Sequence, residues 1–432
     1  MGEKIFVKNF GPIKEAEIDL NKKFQILIGP QASGKSTICR VAYFCKKIRD
    51  YYVQYLLDRK KMDIAYYNTV KDNLQKFLRK NFIGCFGTTK HMPPFTIKYA
   101  FGKNFLSIKL VSGFVDFAFS RDVDERLDDI LKETWELYRS DIFRFISIQD
   151  AMYQNTVLRT QITKRIYDVF EDDSEIIYIP AGRSVLAIMS EQLRNINLSY
   201  ADMDLTMQEF IERIGETRKD FDAPLDDVVR NYVKTVDGQI NNAAVNLAIS
   251  KIKSILKADY TSGKDGEKLY YDAERWVKLL YASSGQQESL WVLLPCFKQI
   301  LHKQKTFIVI EEPEAHLFPD GQRTIVELTA LLARSTGSTV MLTTHSPYIL
   351  TAANLLLYSG YVEKLNNKDK AVIPSALRIM PDSFAACCLE NGKAMDIYDR
   401  EAKMMDAEYI DGISSVINKD LDRLLELQYN EM

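Results

Sequence analysis

The sequence has little of what would staple or metallate a fold. Its 432 residues hold six cysteines and four histidines. No cysteine pair shows the C-x-x-C spacing of a zinc site, and no two histidines stand as a metal-ligand pair. The adjacent Cys387 and Cys388 cannot easily bridge each other. With Cys39, Cys45, Cys85 and Cys296 they read as reduced thiols, which suits a cytoplasmic protein. No apolar run approaches the ~20 residues of a membrane span, so no membrane partner is expected. The first residues lack an apolar h-region, which speaks against a signal peptide, and Phe6 stands where N-myristoylation would want Ser or Thr. There is no internal repeat, no low-complexity stretch and no sustained heptad run, so a long coiled coil is not expected. A formal net charge of -2 does not announce a nucleic-acid protein and leaves only a local basic patch as a route to one.

What is present is an ordinary globular balance, 46% hydrophobic and 27% charged. That suffices for one large domain with insertions, or for two domains. Residues 4–10 and 15–20 read as two strands joined by a Gly11-Pro12 turn, and the apolar run 24–28 reads as a buried strand ending in Gly29. The stretch 41–82 is helical in pattern. FTIKYAF and FLSIKLV flank Gly102-Lys103-Asn104 as a hairpin near 95–111. Residues 121–172 and 184–258 are mostly helical, with IIYIP at 176–180 as a buried strand between them. A strand at 268–272 precedes a Ser-Ser-Gly turn at 283–285. From 306 onward strand and helix alternate, through TFIVI, a helix from about 319, TVMLTT and a helix from Pro347, which favours a partly parallel sheet. The segment 379–430 reads as a short strand pair and a charged terminal helix. The expected fold is therefore α/β with a mixed sheet. Its core is drawn over 1–40 and 265–400, a mainly helical insertion with the hairpin over 41–264, and a helical tail over 401–432.

Four motifs carry chemistry. Gly29-Pro30-Gln31-Ala32-Ser33-Gly34-Lys35-Ser36 is a G-x-x-x-x-G-K-S phosphate loop between a strand and a helix. Its glycines let backbone N–H groups curl around phosphates, Lys35 reaches the β- and γ-phosphates, and Ser36 suits a Mg²⁺ ion. With Gln31, Ser33 and Thr37 this loop is the expected ATP site. Phe307–Ile310 is an apolar strand ending in Glu311 and Glu312, the Walker B arrangement. Glu311 is expected to hold Mg²⁺ through a water, and Glu312 to polarise the attacking water as general base. Ser283-Ser284-Gly285-Gln286-Gln287 precedes the helical run ESLWVLL, so Ser283, Gly285 and Gln286 stand at a helix N-terminus suited to an anion. Ser-Ser-Gly is also a common helix cap. Finally, His345 in Thr343-Thr344-His345-Ser346-Pro347 ends a strand, where it suits a γ-phosphate sensor, although strand-end histidines are often structural.

The order of these motifs, 29–36, 283–287, 307–312 and 345, resembles the ABC-type ATPases of the SMC, RecF and OLD group. EEPEAHLFP at 311–319, THSPYIL at 344–350 and YIPAGRS at 178–184 resemble more closely the compact AAA-labelled members of bacterial anti-phage operons, such as PARIS-type or Septu-type ATPase subunits. The resemblance covers the first 40 residues and about 265–400. It implies an ABC-type ATPase using ATP and Mg²⁺, in which the signature of one protomer closes the ATP held by another. A homodimer through ATP is implied, with a higher homo-oligomer and a separate effector nuclease as further expected partners. His316 falls in the D-loop region, Arg183 in a Pro-Ala-x-Arg motif near the site, and Gln149 is a Q-loop candidate because it precedes the IIYIP strand. Gln31 and Ala32 replace the common Asn-Gly, which suggests slow hydrolysis.

Three uses compete: a defence ATPase that senses infection and controls an effector, a RecF-like repair or chromosome ATPase that binds DNA, and a transporter cassette. The 247 positions between Ser36 and Ser283 exceed a transporter cassette's gap. Basic runs at Lys46-Lys47, Arg59-Lys60-Lys61 and Arg79-Lys80 keep nucleic acid as a candidate ligand, but read first as solvated helix faces. The 87 residues after His345 lack the spaced Asp-x-Asp of the TOPRIM nuclease in OLD-type proteins, so any nuclease is expected on another chain.

Overall fold

Three apolar runs set the centre of the fold in the computed structural model. Phe24–Ile28, Thr306–Glu311 and Thr339–Thr343 are buried at every position. Strands covered on both faces belong in the middle of a parallel sheet flanked by helices. The structure describes residues 2–140, 148–185, 187, 203–235, 240–366, 372–406 and 419.

The strands are β1 (Lys4–Phe10), β2 (Ile13–Asp19), β3 (Phe24–Ile28), β4 (Thr96–Phe101), β5 (Asn104–Val111), β6 (Phe114–Phe119), β7 (Glu175–Ile179), β8 (Asp259–Gly263), β9 (Gly266–Tyr270), β10 (Trp276–Lys278), β11 (Thr306–Glu311), β12 (Thr339–Thr343), β13 (Phe384–Glu390), β14 (Lys393–Asp396), β15 (Tyr398–Asp399) and β16 (Met404–Met405). One mixed sheet of eleven strands runs β6-β5-β4-β1-β2-β14-β13-β3-β12-β11-β7. Its β13-β3-β12-β11-β7 half is parallel, and its β6-β5-β4-β1-β2 half antiparallel. A second small sheet holds β10-β9-β8.

The helices are α1 (Lys35–Leu56), α2 (Arg59–Met62), α3 (Tyr67–Phe86), α4 (Arg121–Arg139), α5 (Ile148–Phe170), α6 (Leu205–Asp220), α7 (Leu225–Thr235), α8 (Asn242–Leu256), α9 (Ser284–His302), α10 (Pro319–Thr336) and α11 (Pro347–Asn366). Side chains alternate across the central strands, so each strand feeds two cores. Ile308 and Ile310 of β11 join α8, α9, α10 and α11 on one face. Phe307 and Val309 join α1, α3, α4 and α5 on the other.

The 41–264 segment is less separate than its helical pattern suggests. From within it, β7 enters the main sheet beside β11, and β4, β5 and β6 extend the same sheet beyond β1. The expected hairpin gains a third strand, β6, paired from Leu106↔Phe119 to Val111↔Phe114. The expected strand pair near the end is β13 with β14. Of the tail expected to be helical, 401–405 is turn and strand and 406 irregular, and the remainder apart from Lys419 lies outside the described residues. Among the described residues no helix is long and apolar enough to cross a membrane.

Candidate nucleotide site

Parallel pairing brings the same end of three strands together. Glu311 of β11 lies opposite Thr343 of β12, which lies opposite Leu27 of β3. The Thr344 N–H continues the ladder by donating to the Leu27 carbonyl at 3.1 Å. The segments leaving these strands must therefore share one edge of the sheet. They are the 29–36 loop, Glu312 and His345. In open α/β sheets this carboxyl edge is where ligands bind.

The 29–36 loop needs its glycines. Gly29 (φ +142°) has a Cβ position 2.2 Å from the Leu389 carbonyl oxygen. Gly34 caps α1 in the left-handed region, and a Cβ there would sit 2.4 Å from Ile13 Cδ1. Ala32, where the resembled family carries glycine, also has positive φ (+60°), a conformation that strains an L-residue by ~1–2 kcal/mol. Lys35 is buried, and its Nζ donates to the carbonyls of Gly29 (2.8 Å) and Pro30 (2.9 Å). Burial pulls its pKa down, opposed mainly by the Glu312 carboxylate. Ser33 Oγ is buried without a hydrogen-bond partner, Thr37 is half-buried, and Gln31 and Ser36 are exposed.

The two adjacent glutamates occupy different environments. Glu311 is buried; its Oε2 accepts weakly from the Ala181 N–H (3.4 Å), and its Oε1 has no partner. Glu312 is half-exposed and adopts positive φ (+45°), with its N–H donating to the Thr343 carbonyl at 3.0 Å. That backbone turns the second carboxylate out of the strand toward His345, whose Nε2 lies 3.7 Å from Glu312 Oε1. The His345 N–H is held by Glu314 Oε1 (2.9 Å), which also accepts from Thr344 Oγ1 (2.7 Å). Burial raises the Glu314 pKa, countered first by its Thr344 hydrogen bond. Sequence reasoning does not single out Glu314; its one signal is a third acid two residues beyond the strand-end pair.

Ser283 and Gln286 form a capping box at the start of α9. Ser283 Oγ accepts from the Gln286 N–H (3.3 Å), and Gln286 Oε1 accepts from the Ser283 N–H (3.1 Å). Gln286 Nε2 donates to the Leu256 carbonyl (2.6 Å), so this side chain is committed to the cap. A Cβ on Gly285 would lie 2.7 Å from the His316 carbonyl, so glycine lets α9 start against the loop after β11. His316 is exposed and has positive φ (+58°). Among the described residues no hydrogen bond joins 29–37 to 283–286. Arg183, expected near the site, is buried beneath Glu311 and Glu312 and donates to both of their carbonyls. Its other partner, Glu288, escapes sequence reasoning; the available signal is a glutamate opening the apolar run ESLWVLL, and it is buried. Gln149 lies in α5.

These residues fit a nucleoside triphosphate with Mg²⁺. A glycine-shaped loop at a helix N-terminus, the cation of Lys35 and the orphaned Ser33 hydroxyl suit phosphate oxygens. The exposed Ser36 hydroxyl and the unpartnered Glu311 oxygen suit a hard cation. Among the described residues no group of three or more His, Cys, Asp or Glu side chains could hold a metal by itself, so phosphate and water would complete that set.

The basic runs are largely engaged. Lys46 is buried between Glu3 and Asp172, Lys47 pairs with Asp50, Lys61 with Asp58, and Arg79 donates to the Val115 carbonyl.

The family model described as AAA ATPase domain (AAA_15) matches residues 1–350. No curated protein matches the chain. Among solved structures, the chain is similar to an SMC head bound to the C-winged helix domain of ScpA, at 11% identity and a TM-score of 0.41, covering 92% of this chain and 98% of that one. It is similar to the SMC head domain from Thermotoga maritima at 12% identity and a TM-score of 0.36, covering 92% and 98%. For an SMC head with an extended coiled coil bound to the C-terminal domain of ScpA, derived from Pyrococcus furiosus, the values are 12% and 0.38, covering 96% and 98%.

Proposed function

The chain belongs to the AAA ATPase domain family, and we propose that it is an ABC-type ATP-hydrolysing switch whose working site is shared between two copies. The observation that carries this reading is the division of parts. Lys35, Glu311, Glu312 and His345 converge at one sheet edge, whereas Ser283 caps α9 with Gln286 and Gly285 sits against its own chain's His316, neither bonding to the 29–37 segment. In this reading Lys35 and the loop amides grip the triphosphate. Glu311 and Ser36 hold Mg²⁺, which would neutralise charge on the transferred phosphoryl group. Glu312 orients and deprotonates the attacking water, with His345 beside it to register the γ-phosphate. Ser283 and the amides at the start of α9 close the nucleotide of a second copy. ATP then favours the closed dimer, and hydrolysis releases it.

Mixing two inactive proteins tests the shared site. Lys35→Ala and Ser283→Arg, each inactive alone, should regain part of the ATPase activity when combined. One of the two sites in the mixed pair has both parts intact. Full activity of Ser283→Arg alone would end the assignment of that serine. No recovery in verified heterodimers would mean that Ser283 acts within its own chain or that both sites must fire together, and titration with wild type separates those two.

We further infer a role as sensor and scaffold of a bacterial anti-phage system that controls a separate effector nuclease. EEPEAHLFP, THSPYIL and YIPAGRS support it by resemblance. Expression with its neighbouring genes should reduce phage plating, and Lys35→Ala should abolish the reduction; unchanged plating with Lys35→Ala would sink this role. The alternative, a RecF-like ATPase binding DNA directly, rests on basic runs in which Lys46, Lys47 and Lys61 are already engaged in ion pairs.

A further inference from the structure

The Arg183 side chain has no exposed surface. A buried guanidinium is costly unless its donors are matched. Here Nη1 donates to the carbonyls of Pro180 (3.0 Å) and Glu311 (2.6 Å), Nη2 to the carbonyl of Glu312 (3.0 Å), and Nε to the carbonyl of Glu288 (3.2 Å). Glu288 Oε2 lies 3.4 Å from Nε and completes an ion pair. The Glu288 carboxylate also accepts from the Arg183 N–H (3.1 Å), the Ser184 N–H (3.2 Å) and Ser184 Oγ (2.6 Å). One side chain thus binds the main chain of both strand-end glutamates and the first turns of the helix that Ser283 caps. Glu288 lies five positions beyond Ser283 on that helix. A second contact, Gly285 against the His316 carbonyl, joins the same two segments. Buried ion pairs are poor sources of stability compared with apolar packing, and the bonds of this one run to main-chain carbonyls of both segments. The planar fork of arginine holds its carbonyls in fixed, divergent directions, whereas lysine's compact ammonium with rotatable donors fixes no such geometry.

We propose that Arg183 and Glu288 are positioning residues that transmit movement of the α9 start to the Glu311–Glu312 main chain. Seating of a partner's nucleotide on Ser283 and Gly285 then sets the Glu312 carboxylate for water activation. Closure and hydrolysis become one event instead of two. The proposal rests on the shared-site reading above.

Full-length Arg183→Lys, Glu288→Gln and Ser184→Ala proteins test it by steady-state ATPase assays with Mg²⁺, with melting temperature measured on the same samples. In the first two, kcat should fall about 10–100-fold, as for other residues that orient a site from behind, while KM for ATP stays within about twofold. Ser184→Ala, which removes one of the contacts on Glu288, should give a smaller fall in kcat. The Arg183→Lys/Glu288→Gln double variant should be little worse than either single, because both break one linkage. ATP-driven dimerisation of Glu312→Gln, read by light scattering, should survive addition of Glu288→Gln. If Arg183→Lys fails to fold, the other two variants decide. Folded Glu288→Gln and Ser184→Ala proteins with wild-type kcat would overturn the linkage. So would a loss that appears in KM and melting temperature alone. If Glu312→Gln does not dimerise with ATP, the shared-site reading itself fails. If it dimerises and Glu288→Gln still turns over normally, only the linkage fails.

Discussion

The two halves of the eleven-stranded sheet differ in how their strands are buried. In β3, β11 and β12 every residue is buried, and the polar residues come mainly at the ends. In β1, β5 and β6 buried and exposed positions alternate or nearly so. The parallel half is sandwiched between helical layers and can place groups only where its strands stop, so its chemistry gathers at one edge. The antiparallel half packs mainly through one face, and there it is aromatic. Phe10, Phe44, Phe82, Phe86, Phe95 and Phe117 pack at centroid distances of 4.6–6.2 Å. Polar groups converge on the first half and aromatic area on the second, which suggests that hydrolysis and stability respond to different substitutions.

The sharpest break between the halves should come from Lys35→Ala. Loss of this cation should lower ATPase activity by about 1,000-fold or more and remove measurable ATP binding, with little change in melting temperature. An equilibrium binding assay with a fluorescent ATP analogue checks it; tight binding would contradict the role given to Lys35. Glu312→Gln should cost about 100–1,000-fold in kcat yet retain ATP and accumulate as a dimer. Unchanged mass by light scattering on adding ATP, together with wild-type turnover, would remove Glu312 from the general-base role.

The antiparallel half should answer in stability instead. Phe82 is fully buried among its aromatic neighbours, and Phe82→Ala should destabilise the fold by about 3–5 kcal/mol in urea titration. KM for ATP in the folded protein should stay within about twofold. A large change in KM with unchanged stability would show that the two halves are not separable in this way.

A smaller effect is expected between the two regions. Glu209 of α6 accepts a hydrogen bond from Tyr43 of α1, and burial pushes its carboxyl pKa up to about 8, helped by the nearby Glu212. The folded state therefore holds this proton more tightly than the unfolded chain, whose value is near 4.5. The resulting stability is present in full below about pH 4.5 and is lost as pH rises to about 8. Glu209→Gln keeps an acceptor for Tyr43 and should flatten this part of the profile, raising the melting temperature relative to wild type at pH 9 more than at pH 5. Equal shifts at both pH values would count against the buried carboxyl. The smallest effect should be that of Ala32→Gly. Relief of positive φ is offset by the greater freedom of glycine when unfolded, leaving stability within about 1 kcal/mol of wild type. A loss of several kcal/mol would mean that the Ala32 methyl packs in a way its exposure does not suggest.

Short-range chemistry makes much of the site legible in advance. The glycines at 29 and 34, the apolar run before Glu311 and the strand before His345 each come from residue type and spacing, and each strand lies near its expected place. Less is legible where a segment's place depends on a partner far along the chain. IIYIP reads as a buried strand, but only its pairing from Thr306↔Glu175 to Ile310↔Ile179 puts it in the central sheet. The third strand, β6, lies hidden in FVDFAF because an alternating edge segment needs β5 to define it. Glu288 and Glu314 look like ordinary helix and loop acids.

Residue order alone specifies the local parts: a loop that bends only with glycine, strands too apolar for solvent, a capped helix at Ser283. Those depend on steric freedom and hydration within a few residues. Long-range packing settles the rest: Glu312 turns away from Glu311, Glu314 holds His345, and Arg183 reaches the carbonyls of both strand-end glutamates from beneath. A hydrogen bond joins residues 128 or 129 positions apart as readily as neighbours once the sheet has folded, and no local periodicity records it.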